Sequence, residues 1–440
     1  MTGTPSASTV SSIVAMAVGL HRQAHLEEAE ELYRRALGIA PDHVDALHFF
    51  GVLQHQRGDD QAAQDLIRAA LRRAPDYVDA RINLGNVLKG MARFEEAERS
   101  YRMALESRPD SADAHNNLAC VLRGQGRVEE AIASFEQALG LAPEHTDALT
   151  NLGNALKFAG RFEESLTAYR RAVEVDPRHC EAHLSLGRAL YSLGRLEEAE
   201  IVYGKWLEVE PDNPIAAHMY AACKGEQTLE RCSDAFVQQS FDAFADSFDA
   251  VLTRLQYRVP ELVSQAIEAA MPPPAGQWNV LDAGCGTGLC GPRLRPYARR
   301  LVGIDLSPGM IHKARALDLY EELQVRELTE FMQQQPGQFD LIIAADTLCY
   351  FGALLPVLQA AAAALSPEGT LVFTLERAEE ESAAEGWRLN PHGRFSHTRP
   401  FVSAALGQAG LSVCDMRLET LRMEVHQPVE GLLVTARKRA

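Results

Sequence analysis

The chain has 440 residues, more than one hydrophobic core usually holds, so we expect at least two domains. Its net charge of -17 at pH 7 disfavours a large phosphate-binding surface, which needs clustered lysines and arginines. We therefore expect no nucleic-acid partner. No uncharged apolar stretch reaches the roughly 18 residues of a membrane span, and no basic residue precedes the first apolar run. These features predict a cytoplasmic protein without a membrane partner or signal peptide.

After a flexible N-terminus at residues 1–9, residues 10–219 carry an internal repeat. An aromatic residue or isoleucine stands eight residues before each repeat proline, and a small residue stands twelve before it. Such a 34-residue unit is typical of two packed helices, the second of which is ended by proline. The repeat prolines are Pro41, Pro75, Pro109, Pro143, Pro177 and Pro211.

The segment "LGNALKFAGRFEESLTAYRRAVEVDP" (152–177) is close to the tetratricopeptide pattern, and residues 10–219 resemble six such repeats. The resemblance implies an all-α solenoid of six helix-turn-helix units that binds peptides or subunits on its concave face. Trp206 replaces the small residue that stands five before the other repeat prolines, which fits a capping unit.

Residues 220–277 are predicted to form a helical lead-in and linker, ended by "MPPPAGQ". From residue 278 to 440, predicted strands alternate with helices, which indicates a parallel sheet covered on both faces. The predicted helices cover residues 288–299, 309–320 and 353–365. Ligands of such sheets lie beyond the carboxyl ends of the strands.

The stretch "NVLDAGCGTG" (279–288) ends the first predicted strand. Its G-x-G-x-G spacing differs from the G-x-G-x-x-G of dinucleotide sites, and the nearby carboxylate of Asp282 would repel a pyrophosphate. An ammonium group would be attracted to that carboxylate. The residues therefore suit a nucleoside ligand that carries an amino-acid tail.

This stretch resembles the first motif of class I methyltransferases, and the resemblance covers residues 240–440. It implies a Rossmann-like α/β domain with a mainly parallel seven-stranded sheet and S-adenosyl-L-methionine as cofactor. It also implies that Asp305 accepts hydrogen bonds from the ribose, that Glu327 and Leu328 face the adenine, and that Phe244 packs over the tail. The implied cofactor residues are Phe244, Asp282, Gly284, Gly286, Gly288, Asp305, Leu306, Glu327, Leu328 and Asp346.

Groups that could remove a proton from the acceptor must follow the fourth and fifth strands. The candidates are Asp346, Tyr350, Glu376, His392 and His397. The histidines belong to an insertion at about 377–400, which is either a lid that binds an acidic substrate or a polar surface loop. We expect no metal site, because no cysteine or third histidine stands near His392 and His397.

Where methyltransferases of amide and exocyclic nitrogens carry an N/D-P-P-Y tetrad, this chain reads "ADTL" (345–348). The predicted function is methyl transfer from S-adenosylmethionine to a small-molecule, carrier-bound or protein acceptor, with the repeats recruiting a protein partner. The alternative is a non-catalytic interaction scaffold with a methyltransferase-like domain that binds the cofactor.

Polar residues recur at i, i+3 and i+6 on the first helices of three repeats. The asparagines resemble the ladder that grips an extended peptide in O-linked N-acetylglucosamine transferase, and the cations beside them favour an acidic partner. The alternative is that these asparagines are solvated or bond within the helix stack. The predicted groove residues are Asn83, Asn86, Lys89, Asn117, Arg123, Asn151, Asn154 and Lys157.

Overall fold

The computed structural model describes residues 7–225, 229–245, 247–383, 385–424 and 427–439. The chain divides into two compact units, Met1–Leu190 and Tyr191–Ala440. The first helix begins at Ala7, inside the segment 1–9 that we predicted to be flexible; residues 1–6 lie outside the described residues. Among the described residues, no helix is both long and apolar enough to cross a membrane.

The predicted repeats are six consecutive helix pairs, followed by a thirteenth helix. Their bounds are α1 Ala7–Arg22, α2 Leu26–Ile39, α3 Val44–Gln56, α4 Asp60–Arg73, α5 Val78–Gly90, α6 Phe94–Ser107, α7 Ala112–Gly124, α8 Val128–Leu141, α9 Thr146–Phe158, α10 Phe162–Val175, α11 Cys180–Ser192, α12 Leu196–Val209 and α13 Pro214–Lys224.

Two features of the repeat explain why these pairs form. The second helix of each pair ends just before the repeat proline, because a residue that precedes proline is pushed out of the helical region. In two of the repeats the aromatic packs on a glycine of the first helix: a Cβ on Gly85 would lie 2.6 Å from Tyr101, and one on Gly153 would lie 2.4 Å from Tyr169. The spacing thus encodes close helix–helix contact. Trp206 is fully buried, and its indole N–H donates to Glu210 at 2.8 Å.

The lead-in consists of three helices, and the sheet domain follows them. The helices are α14 Asp234–Phe244, α15 Phe248–Arg254, α16 Val259–Ala270, α17 Gly291–Leu294, α18 Pro308–Arg315, α19 Leu328–Gln333, α20 Leu355–Ala364 and α21 Arg399–Gln408. The strands are β1 Trp278–Ala283, β2 Ala298–Asp305, β3 Glu322–Val325, β4 Phe339–Ala344, β5 Leu365–Arg377, β6 Trp387–Leu389, β7 Phe395–His397, β8 Leu411–Glu424 and β9 Gln427–Lys438.

Seven strands form the predicted sheet in the order β3-β2-β1-β4-β5-β9-β8. The first five are parallel, while β9 runs antiparallel to β5 and β8. The short hairpin β6–β7 adds two strands that the sequence did not predict, with β7 parallel to the end of β5. Alternate residues of β1 enter different cores: Leu281 lies in one and Val280 in the other, so both sheet faces are covered.

The predicted helix over 288–299 is wrong. Only Gly291–Leu294 is helical, and β2 already begins at Ala298. The reason is local: Pro296 has no amide N–H to continue the helix, and Gly288 has a φ of 89°, which a helix does not allow.

Candidate functional site

The carboxyl ends of β1, β2 and β4 lie side by side at one edge of the sheet. The glycine turn, residues 284–288, follows β1. Asp305 ends β2, and Asp346 follows β4. The structure therefore brings together three motifs that are separated by up to 62 residues in sequence, counted from Gly284 to Asp346.

The glycines of the turn serve two different purposes. All three have a positive φ, at 78° for Gly284, 53° for Gly286 and 89° for Gly288. A Cβ would lie 2.3 Å from Thr347 at Gly284 and 2.8 Å from Leu317 at Gly288, so packing excludes a side chain there. At Gly286 the nearest atom would be 3.9 Å away, in Phe248. The turn is therefore closely packed at both ends and open at Gly286, where a ligand could approach the backbone.

Asp282 lies beneath this turn. Its side chain is 1% exposed, and its Oδ2 accepts a hydrogen bond from the Tyr320 hydroxyl at 2.8 Å. Burial raises the pKa of Asp282 to about 7. We predicted a carboxylate that faces a ligand's ammonium group; the structure places it against Tyr320. The sequence analysis missed Tyr320, whose ring occupies the space that glycines leave at positions 291 and 303.

Asp305 is held by the backbone of two turns. Its Oδ2 accepts from the amide of Gly286 and its Oδ1 from the amide of Ser307, each at 2.9 Å. Burial raises the pKa of Asp305. The N-cap of α18 is Ser307, whose Oγ accepts from Met310 N at 3.1 Å. Since a carboxylate has about four acceptor sites, Asp305 retains the capacity to accept bonds from a ligand. Leu306 follows it and is half-buried.

Glu327 and Leu328 begin α19. The Glu327 carboxylate caps the helix by accepting from Glu330 N at 2.7 Å, and it also accepts from Thr329 at 2.9 Å and Arg231 at 3.1 Å. Leu328 is 9% exposed and packs in the core. A ligand that bonds to Glu327 would therefore share its carboxylate with three donors of the protein.

The lead-in helices contact the glycine turn and α18. Asp249 on α15 accepts from the Thr287 hydroxyl at 2.6 Å, and Asp242 on α14 accepts from Ser307 Oγ at 2.5 Å. Phe244, at the end of α14, is half-buried, with its ring centroid 5.5 Å from that of Phe248. The segment "FDAFADSFD" (241–249) thus holds the two acids that fasten the lead-in, a role that the sequence analysis did not assign to them.

Asp346 is the most constrained of the predicted catalytic residues. Its φ is 54°, its amide donates to Thr374 Oγ1 at 2.9 Å, and its Oδ2 accepts from Arg422 at 3.0 Å. Its Oδ1 is buried and has no hydrogen-bond partner among the described residues. Because buried polar atoms are nearly always paired, this oxygen is available to a donor on a ligand.

Arg422 and Arg394 join the acids near the ends of β4 and β5. Arg422, which is 1% exposed, contacts Asp346, Glu376 and Glu424. Arg394 pairs with Glu376 at 3.0 Å and Glu424 at 2.7 Å. The sequence analysis missed Arg422, because its partners lie 46 and 76 residues away, on other strands.

Glu376 and His392 belong to the same charged cluster. Burial favours a higher pKa for Glu376, but Arg394, His392 and Arg422 hold that pKa below its ordinary value. His392 Nε2 lies 3.4 Å from Glu376 Oε2. Burial lowers the pKa of His392 to about 4, although the Glu376 charge opposes the shift, so the imidazole is neutral at pH 7.

Among the described residues, the other two catalytic candidates form no ion pair with this cluster. His397 is fully buried, its Nε2 lies 3.0 Å from the Gly352 carbonyl oxygen, and burial lowers its pKa to about 4. Tyr350 lies in a single 3₁₀ turn, Leu348–Tyr350, and burial raises its pKa well above 10. Its ring packs edge-on against Phe241 at 5.5 Å. Within the described residues, no group of three or more His, Cys, Asp or Glu could hold a metal ion.

The predicted groove residues of the first unit are half-buried and largely bonded to one another and to their repeats. Asn86 and Asn154 accept from the tyrosines at 101 and 169, at 2.6 and 2.7 Å. The cross-repeat bonds are Asn83 to His48 at 2.8 Å, Lys89 to Asn117 at 3.2 Å and Asn151 to Asn116 at 3.3 Å.

The cations of this face have no carboxylate partner in the part of the chain that the structure describes. Lys89, Arg123 and Lys157 form no ion pair with any residue that the structure describes. Burial, together with the positive charges of Arg188 and Arg123, lowers the pKa of Lys157. The face therefore carries a surplus of positive charge, although the net charge of the protein is negative.

Two family models match the chain. Residues 281–371 match a model described as a methyltransferase domain. Residues 15–78, 82–146 and 150–214 match a model described as a tetratricopeptide repeat.

Known relatives match part of the chain. The chain is 30% identical over 179 residues to the ubiquinone biosynthesis O-methyltransferase of Xanthomonas axonopodis pv. citri, which covers 38% of this chain and 72% of that protein. It is 36% identical over 110 residues to human methyltransferase-like protein 27, covering 24% of this chain and 45% of that protein. A solved S-adenosylmethionine-dependent methyltransferase from Mesorhizobium loti aligns at 24% identity and a TM-score of 0.33, over 40% of this chain and 96% of that one.

The matched models and the Xanthomonas relative cover both the repeats and the sheet domain described above. The chain therefore belongs to the methyltransferases, and it carries tetratricopeptide repeats ahead of its methyltransferase domain.

Proposed function

We propose that the protein is a class I methyltransferase that uses S-adenosyl-L-methionine. The observation that carries the proposal is the bond between Asp305 Oδ2 and the Gly286 amide, at 2.9 Å, where the ends of β1 and β2 meet. It puts a carboxylate directly beside the one glycine of the turn that has open space where a Cβ would lie. A ribose with two hydroxyl donors and a tail that approaches the backbone would fit both.

The described residues divide the binding of such a cofactor among them. Asp305 would accept bonds from the ribose hydroxyls, and Gly284, Gly286 and Gly288 would let the backbone approach the tail. The unpartnered Oδ1 of Asp346 would accept from the ammonium group. Leu328 and the shared carboxylate of Glu327 would lie toward the adenine, with Phe244 over the tail. Asp282 would not touch the cofactor; it would stabilise the glycine turn through its hydrogen bond with Tyr320.

The cofactor supplies a methyl group on a positively charged sulfur, which is already a strong electrophile. The protein therefore needs mainly to orient the acceptor and take up its proton. The Glu376–His392 pair supports this role, while Asp346, which Arg422 joins to Glu376, would hold the tail of the cofactor. Tyr350 and His397 are supporting residues in this proposal. His397 Nε2 already faces a backbone carbonyl, and the Tyr350 ring packs against Phe241.

The proposed role of the repeats is to recruit a protein partner through the face that carries Lys89, Arg123 and Lys157. Unpaired, half-buried cations lose solvation without gaining an ion pair, so a carboxylate-rich segment would bind there favourably. The asparagines bond to residues of neighbouring repeats, which favours a structural role for them. The cations would then be the main determinant of partner choice.

Titration calorimetry tests the cofactor. We expect S-adenosylmethionine and its demethylated product, S-adenosylhomocysteine, to bind at micromolar concentrations, and NAD not to bind. Binding of NAD with equal affinity would contradict the proposal. Incubation of the protein with labelled cofactor and a cell extract then distinguishes an enzyme from a scaffold, since a scaffold would label no product.

A further inference from the structure

A cavity of about 390 Å³ lies at the carboxyl end of β5, against the β6–β7 hairpin. Three lining residues form one row across three strands, because Ser396 pairs with Glu376 on β5 and with Arg388 on β6. Residues that are directly opposite on neighbouring strands point to the same face. The row therefore presents a carboxylate, a hydroxyl and a guanidinium in that order.

Among the described residues, one cation that lines this cavity has no acidic partner. Arg377 pairs with Glu379 at 2.8 Å and with Glu430 at 3.0 Å. Arg388 donates its Nε to Asn390 at 3.0 Å and forms no ion pair with a described residue. Its remaining N–H groups are the donors that a carboxylate accepts best. The Arg388 end of the row is therefore the anion-binding end.

The opposite end of the row offers acceptors. His392 Nε2 faces Glu376 at 3.4 Å, so we assign the proton to Nε2, which leaves Nδ1 as an acceptor. His392 Nδ1 is buried without a partner among the described residues, and so is Ser396 Oγ. Buried polar atoms of this kind are rarely left unpaired. Together they indicate that a hydrogen-bonding molecule belongs between this end and the middle of the row, where Ser396 lies.

We infer that the cavity binds a small hydroxy acid, with its carboxylate at Arg388 and its hydroxyl toward His392 and Glu376. The inference rests on the proposed function in one respect: we take the bound acid to be the methyl acceptor, because Arg422 links Glu376, which the hydroxyl faces, to Asp346. The hydroxyl oxygen would bond to the methyl carbon as the carbon–sulfur bond of the sulfonium breaks, its proton would pass to His392 Nδ1, and S-adenosylhomocysteine would leave. Binding of the acid itself requires no cofactor.

Ligand-observed NMR titration of the full-length protein tests the inference with lactate, β-hydroxybutyrate and mandelate as probes. Each acid is compared with its deoxy analogue and with its neutral amide. We expect the hydroxy acids to bind saturably, the deoxy acids more weakly, and the amides weakest. Arg388→Gln should weaken hydroxy-acid binding about tenfold, since it removes a charged hydrogen bond of about 1.5 kcal/mol.

His392→Ala provides the second, independent measurement. It should remove the preference for hydroxy over deoxy acids while leaving the affinity for the deoxy acids unchanged. Arg295→Gln is the charge-matched control: it removes an exposed guanidinium paired with Glu321, and binding should not change. Equal affinity in Arg388→Gln and the unmodified protein, or no saturable binding of any hydroxy acid, overturns the inference.

The two proposals fail separately. If S-adenosylhomocysteine does not bind in calorimetry, the proposed function fails while acid binding stands on its own titration. If S-adenosylhomocysteine binds and no hydroxy acid does, only the acceptor inference fails.

Discussion

The hydroxyl of Tyr320 donates to Asp282 Oδ2 at 2.8 Å, beneath the glycine turn. Asp282 is 1% exposed. The two residues are 38 positions apart. This bond gives the acid of the G-x-G-x-G stretch a structural partner.

Tyr320→Phe should lower the stability of the methyltransferase domain by about 1–3 kcal/mol, because it leaves a buried carboxylate without its donor. Tyr297→Phe is the matched control: Tyr297 is also buried, and its hydroxyl has no hydrogen-bond partner among the described residues. Differential scanning calorimetry of both variants measures the effect. Equal melting temperatures for the two variants would show that the bond contributes nothing.

Asp282→Asn should stabilise the protein more as the pH rises. The folded-state pKa of Asp282, about 7, lies above its unfolded value of about 4, so ionisation increasingly costs stability between these pH values. Below about pH 4 the charge cost is absent, and above about pH 7 it is constant. The melting-temperature difference between variant and unmodified protein should therefore grow from about pH 4 to about pH 7 and stay constant above that. A difference that is independent of pH would contradict the raised pKa.

Asp305→Ala should weaken binding of S-adenosylhomocysteine roughly thirtyfold, since two hydrogen bonds of about 1 kcal/mol each are lost. The control is Thr398→Ala, which removes the cap of α21 and so costs about 1 kcal/mol of stability without touching the ribose site. Calorimetric affinities of both variants separate the two effects. Unchanged affinity in Asp305→Ala would contradict the proposed ribose contact.

Arg422→Met should destabilise the domain by about 3–5 kcal/mol, because three carboxylates lose a buried cation. Arg417→Met, on the same strand, removes an exposed pair with Asp415 and should cost at most about 1 kcal/mol. Thermal unfolding followed by circular dichroism compares the two. Similar costs would mean that the cluster is solvated and not a buried network.

Changing Lys89, Arg123 and Lys157 together to Gln should weaken binding of an extended Glu/Asp-rich peptide at least tenfold, as measured by fluorescence anisotropy. Rising salt should weaken the unmodified protein's binding more than the variant's. The control changes three exposed arginines on second helices, Arg35, Arg72 and Arg99, to Gln. An equal loss in the control would attribute binding to net charge and not to this face.

A companion variant changes Asn83, Asn117 and Asn151 to Ala. If these asparagines only bond within the stack, the melting temperature should fall while the same peptide binds unchanged, since each bond contributes about 1 kcal/mol. If they grip the peptide backbone, affinity should fall and stability should remain nearly constant. The two measurements therefore decide between the two roles.

The sequence by itself determined the features that depend on local spacing. The 34-residue period predicted six helix pairs, because each proline and each small residue acts on its own helix. The glycine stretch was predicted to end the first strand, and β1 does end at Ala283, directly before Gly284. The helix predicted over 288–299 was wrong. That prediction followed an apparent helical pattern and gave too little weight to two local helix breakers, Gly288 and Pro296.

Only the tertiary structure decided which distant groups meet. The partner of Asp282 is Tyr320, and that of Asp346 and Glu376 is Arg422, which comes from the long antiparallel pair β8–β9. That pair contains register shifts between Val413 and Asp415 and between Thr420 and Arg422. A shift of one residue moves a side chain to the opposite face of a sheet. The sequence carries no signal of which face Arg422 occupies, so its burial among three carboxylates depended on the packing of the sheet.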